Sequence, residues 1–78
     1  MRHLDNDTLA AFVAVYDHGS FTAAAEQLGK TQAAVSIMLS RLEKHLGQRL
    51  LERSRQGITL SPAGEKLIGY ARQMQMLE

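Results

Sequence analysis

The sequence predicts a mainly α fold, in which three helices are followed by a β-hairpin and a further helix. Three observations predict this fold: apolar residues recur at helical spacing, cap residues and glycines delimit each helical stretch, and two short apolar runs flank a turn signal. The chain has 78 residues and no cysteine, so it is one small domain without disulfides or thiolate metal ligands. A domain of this size is marginally stable alone, and a partner or a dimer interface would stabilise it.

The first predicted helix covers about residues 6–18. Its apolar stripe follows the i, i+3, i+4, i+7 pattern and consists of Leu9, Phe12, Val13 and Tyr16. Asp5 or Asn6 can cap its start, and Gly19 ends it.

Two further helices follow with a short turn between them, over residues 21–28 and about 32–46. The second helix carries Ala25, the turn carries Gly29, and the third helix carries Val35. A helix-turn-helix pair needs such a small residue at the helix crossing, a glycine in the turn and a branched apolar residue in its second helix. This spacing favours a helix-turn-helix pair over an ordinary helical hairpin.

A hairpin is predicted next, with strands at residues 50–53 and 58–60 around the turn 54–57. Ser61 then caps a last helix that has Pro62 at its first position. The complete order is that of a winged helix-turn-helix. We divide the chain into this domain, residues 1–61, and a linker or dimerisation helix, residues 62–78.

Charge is concentrated in the middle of the chain. Residues 30–55 contain six basic and two acidic side chains, a net charge of +4, whereas the rest carries −3. A basic segment in a nearly neutral chain is typical of a surface that meets phosphates, and it is also compatible with an ordinary solvated surface.

The exposed face of the third helix is mostly short and uncharged, in contrast to the Glu, Lys and Arg of a solvated helix. Glutamine can bond an adenine edge, serine can bond several bases, and alanine or isoleucine can touch a thymine methyl. We therefore expect this face to read bases in double-stranded DNA, and we keep a protein-interaction module as the alternative. The predicted base-reading residues are Gln32, Ala33, Ser36, Ile37 and Ser40. The predicted backbone and wing contacts are Ser20, Thr22, Lys30, Thr31, Arg41, Lys44, Arg53, Arg55 and Gln56.

These residues resemble the LysR-type transcriptional regulators of bacteria. GSFTAAAEQL at residues 19–28 resembles the second helix of that family, and TQAAVS at 31–36 resembles the start of its recognition helix. Further matches follow in the family's order at residues 42–43, 46–47, 50–54 and 58–64, so that the resemblance covers essentially the whole chain.

The resemblance implies that the DNA-facing residues are Thr31, Gln32, Ala33, Ser36 and the wing arginines. A two-fold dimer of such domains is expected to read an inverted-repeat operator. The resemblance also implies a regulator with a C-terminal effector-binding domain, joined through the last helix and absent from this chain, so that any effector ligand would bind there. The chain departs from the family at two positions: Ala33 stands where proline is frequent, and Ile37 stands where a long polar residue is frequent. An apolar base contact at Ile37 is the alternative to the polar one.

The last helix carries an apolar stripe with the spacing of heptad a and d positions. The predicted homodimer interface consists of Leu67, Tyr70, Ala71, Met74 and Leu77. The resemblance implies pairing with a second subunit through this helix. Packing on the first helix would explain the same stripe, and one stripe can make both contacts.

Other functions are expected to be absent. The three histidines have no partners at metal-ligand spacing, and no serine has a histidine and an acid arranged to activate it, so we expect no metal, no cofactor and no enzyme. The longest apolar run is far shorter than the roughly 20 residues of a membrane span, and no signal peptide is recognisable. We therefore expect a cytoplasmic protein.

Overall fold

Residues 5–77, the part of the chain described by the computed structural model, form four helices and one two-stranded antiparallel sheet. The helices are α1 (Asn6–His18), α2 (Phe21–Leu28), α3 (Gln32–Leu46) and α4 (Pro62–Met76), and the strands are β1 (Leu51–Ser54) and β2 (Gly57–Leu60). This order confirms the predicted fold class. The outer ends of the two predicted ranges, residues 1–4 and 78, lie outside the described residues.

Each helix is preceded by an N-cap residue whose side chain accepts a hydrogen bond from a backbone N–H of the first turn. The four N-caps are Asp5, Ser20, Thr31 and Ser61. Such caps satisfy N–H groups that have no partner within the helix. The turn between α2 and α3 requires a left-handed residue, and Gly29 supplies it with φ 67°. These local signals explain why the helix bounds agree with the predicted ones.

The core lies where α1 crosses the helix-turn-helix pair and α4. Its largest fully buried side chains are Phe12, Leu9, Leu42, Leu50, Val15 and Val35. Val35 belongs to α3 and is buried as the helix-turn-helix pattern requires, and Ala24 and Ala25 let α2 lie close to its neighbours. The same burial leaves the opposite face of α3 exposed.

The hairpin begins one residue later than predicted, at Leu51. Its register pairs Leu51 with Leu60 and Ser54 with Gly57. Leu50 lies just outside the strand because its N–H donates to a side chain, although its carbonyl still bonds to Ser61, the next residue in the register. Its carbonyl accepts from the Ser61 N–H at 2.9 Å, and its N–H donates to the carboxylate of Glu43 at 2.7 Å.

The start of α4 is held against the segment that precedes β1. The Ser61 hydroxyl donates to the carbonyl of Arg49 and accepts from the Gly64 N–H at 3.0 Å. Gly64 is buried, and a Cβ at this position would lie only 2.1 Å from the carbonyl oxygen of Leu50. Only glycine therefore permits this approach of α4 to the segment that precedes β1.

Further along, α4 packs on α1. Ala71 is completely buried in the core, and Arg72 forms a two-point ion pair with Asp17 of α1, at 2.8 and 3.0 Å. The first three turns of α4 are therefore part of the same packed unit as the helix-turn-helix.

Candidate nucleic-acid interface

The N-terminal half of α3 presents the predicted reading face. Thr31 caps the helix by accepting from the Ala34 N–H at 3.1 Å, which places Gln32 and Ala33 in the first exposed turn. Of the five predicted base-reading residues, Gln32, Ala33, Ile37 and Ser40 are exposed and Ser36 is half-buried. The face is available to a ligand because Val35, Leu39 and Leu42 turn the opposite side of α3 into the core.

A first groove separates this face from the hairpin. Thr22 of α2, Gln32 of α3 and Arg53 of β1 line it together. The guanidinium of Arg53 lies over the ring of Phe21, 4.9 Å from the ring centroid. Such a cation–π contact restrains an otherwise flexible side chain. Three predicted site residues from three elements thus meet at one place.

A second groove, with a volume of about 230 Å³, continues along α3. Ser36, Ser40 and Arg53 line it, together with Arg49. Arg49 was counted in the basic segment and was not placed in the predicted site. Its position just before the hairpin, between Gly47 and the first strand, is the sequence feature from which a place beside the reading face could have been predicted.

The other predicted cations do not line the two grooves. Lys30 lies in the turn before α3, Arg41 and Lys44 lie on exposed α3 positions, and Arg55 lies with Gln56 at the hairpin tip. The hydroxyl of Ser20 accepts from the Ala23 N–H at 3.1 Å as the cap of α2, so its acceptor capacity is partly used. These exposed cations on α3, the turn before it and the hairpin are suited to contacts with a polyanion.

Glu43 connects α3 to the hairpin and was not predicted as a site residue. Its Oε2 atom accepts from the backbone N–H groups of Leu50 and Leu51, at 2.7 and 3.2 Å. The Glu43 carboxylate therefore binds backbone N–H groups of its own chain, and its negative charge stabilises this structural contact. Because the acceptor is ionised, these hydrogen bonds are stronger than those between neutral groups.

The apolar stripe of α4 is divided by the fold. Tyr70 and Leu77 are exposed, by 47% and 81%, whereas Leu67 and Met74 are partly buried against the core. Ala71 has to be removed from the predicted dimer interface, because its side chain is completely buried within the single chain. Packing on α1 therefore uses one side of the stripe, and the other side remains uncovered in the single chain.

The fold and the site define a winged helix-turn-helix domain: an exposed, largely uncharged second helix of the pair lies beside an arginine-bearing hairpin. Residues 6–65 match the model of the bacterial regulatory helix-turn-helix protein, lysR family. The chain belongs to the LysR family. It is 49% identical over 74 residues to the HTH-type transcriptional regulator PtxR of Pseudomonas aeruginosa, covering 95% of this chain and 24% of PtxR.

Solved structures agree with this assignment. The crystal structure of a CbnR_DBD–DNA complex is similar with a TM-score of 0.84 and 37% identity, over 94% of this chain and 84% of that one. The crystal structure of a BenM_DBD/catB site 1 DNA complex gives a TM-score of 0.86 and 35% identity, over 92% and 81%.

The chain spans about a quarter of the length of the curated relatives it matches. Within residues 5–77, no helix is both long enough and apolar enough to cross a membrane.

Proposed function

We propose that this chain binds double-stranded DNA sequence-specifically, with α3 in the major groove and the hairpin directed to the minor groove or the backbone. The arrangement that carries the proposal is the meeting of Gln32, Ser36 and Arg53 around two adjoining grooves on one exposed face. Two of the similar solved structures are complexes with DNA. An α-helix fits the major groove, where base edges present distinct donors and acceptors.

Within this proposal the residues divide by task. A first set reads base edges, because its residues lie on the exposed face of α3. This set consists of Gln32, Ala33, Ser36, Ile37 and Ser40. A second set contacts phosphates or the adjacent groove and sets the position of the protein on the duplex. This set consists of Ser20, Thr22, Lys30, Thr31, Arg41, Lys44, Arg53, Arg55 and Gln56. We add Arg49 to this second set, since it lines the same groove as Ser36 and Ser40.

We further propose that the chain is the operator-reading part of a cytoplasmic transcription regulator without catalytic activity, whose effector would bind a domain outside this chain. A second copy would pair through the exposed side of α4, Tyr70 and Leu77, and two subunits related by a two-fold axis would read an inverted repeat. The uncovered apolar side of α4 supports this pairing.

The test of DNA binding is the affinity for duplexes as a function of salt. Contacts between Lys or Arg and phosphates release counterions, so affinity should fall steeply and linearly on a log–log plot. A surface for another protein would show no detectable duplex binding at low salt, or a binding that does not change from low to moderate salt. Either result would favour a protein-interaction module instead.

A further inference from the structure

Ile37 occupies an unusual position for an exposed isoleucine. Among residues 5–77, the large apolar side chains that lie exposed are Ile37 and three residues of α4 or its end, and Ile37 is 51% exposed. Isolated apolar residues are common on protein surfaces and need no explanation. Ile37, however, lies in the middle of the face that the proposed function assigns to base reading.

Ala33 and Ile37 form a short apolar strip along α3. They are one turn apart, about 40° from each other around the helix, and both are exposed. Ser40 lies about 60° to one side of Ile37, and the cation of Arg41 lies about 40° to the other side. A phosphate contact from Arg41 would hold this strip close to the base edges.

The chemistry of the major groove restricts what such a strip can contact favourably. Adenine, guanine and cytosine present hydrogen-bonding groups on their edges, whereas thymine also presents its C5-methyl group. Isoleucine set against a polar edge would remove that edge from water without replacing its hydrogen bonds, which is unfavourable. Against the thymine methyl, apolar surface is buried on both sides.

We infer that Ile37 is a specificity-determining residue that selects thymine in each half-site through its C5-methyl group. This inference rests on the proposed DNA binding. It assigns a base and a contact atom to one residue of the reading face.

The experiment begins with sequences enriched by the wild-type chain from random duplex DNA at low salt. Each thymine of the enriched sequence is then replaced singly by deoxyuridine, which keeps the base pair and removes only the methyl group. At one thymine per half-site, the replacement should weaken wild-type binding by roughly fourfold, the factor that corresponds to one buried methyl-sized group.

Ile37→Ala removes the apolar contact and should abolish the uracil penalty at that position. The variant should fold normally because the side chain is half exposed and alanine favours a helix, and circular dichroism checks this. Ser40→Ala is the matched variant on the same face. Whatever its overall affinity, it should retain the uracil penalty.

A uracil penalty that persists in Ile37→Ala, or an enriched half-site that lacks thymine, would overturn the assignment and leave the proposed DNA binding intact. If the wild type enriches no sequence at low salt, the proposed function itself fails, and the thymine assignment fails with it.

Discussion

The carboxylate of Glu43 accepts a hydrogen bond of 2.7 Å from the backbone N–H of Leu50. The same oxygen also accepts from Leu51. Helix α3, which carries the reading face, is thereby joined directly to the start of the hairpin. Two adjacent N–H groups would lose their partner if the carboxylate were removed.

Glu43→Ala should lower the free energy of unfolding by about 2 kcal/mol, since two part-buried N–H groups are left without a partner. Glu43→Gln keeps a neutral acceptor and should cost about half as much. Urea denaturation measures both. Glu52→Ala removes an exposed carboxylate from β1 and is the control. Equal losses for Glu43→Ala and Glu52→Ala would show that the contact contributes nothing to stability.

Gly64→Ala should be strongly destabilising, because its Cβ would lie 2.1 Å from the Leu50 carbonyl oxygen and backbone would have to move. We expect a loss of roughly 3 kcal/mol. Gly69→Ala, in the same helix with open space where its Cβ would lie, should instead stabilise the domain by about 0.5–1 kcal/mol. Thermal unfolding of the two variants tests the pair, and a similar shift in both would contradict the close approach.

The ion pair between Asp17 and Arg72 makes stability depend on pH. The hydrogen bond from Arg72 lowers the pKa of the Asp17 carboxyl from its ordinary value. The stabilisation is therefore complete above the ordinary aspartate pKa of about 3.9, and it is lost as pH falls through the lower value in the folded state. Because both side chains are more than two-fifths exposed, we expect only about 0.5 kcal/mol.

Asp17→Asn should thus be less stable than the wild type at pH 7 and equally stable near pH 2. Urea denaturation at the two pH values measures the difference. Glu26→Gln, which removes an exposed carboxylate from α2, should match the wild type at both. An Asp17→Asn deficit that persists at pH 2 would assign the effect to packing instead of charge.

Gln32 and Arg53 should affect DNA binding differently, although both line the same groove. Gln32→Ala should cost on the order of 1–3 kcal/mol on the selected sequence and relax preference at one position per half-site. Arg53→Ala should weaken selected and random duplexes alike. Competition binding with both duplexes separates the two effects. Equal weakening by Gln32→Ala would place Gln32 among the positioning residues.

Tyr70→Asp should prevent pairing of two copies, because it places an unpaired charge on the exposed side of the α4 stripe. Met76→Asp makes a similar change about 120° around the helix, at a position that is also exposed, and should leave pairing unchanged. Sedimentation of the wild type and both variants measures this. A wild type that stays monomeric at high concentration, without preference for a full inverted repeat, would limit the stripe to packing within one chain.

The sequence by itself determined the helices and their ends. Caps such as Ser20 and Thr31 and the turn residue Gly29 act on backbone groups within a few residues, so their effect can be recognised without the rest of the fold. The apolar periodicity of α3 likewise specified its buried side, and hence its exposed face.

Only the tertiary structure decided how these elements are joined. The contacts of Glu43 with Leu50, of Arg53 with Phe21 and of Arg72 with Asp17 link residues from different helices, strands or loops. A stripe at heptad spacing fits either one's own core or a second chain. Periodicity alone therefore could not show that Ala71 is buried while Tyr70 is exposed. The burial of each α4 residue depends on which elements pack around the helix, because the residues that cover it are brought together only by the whole fold.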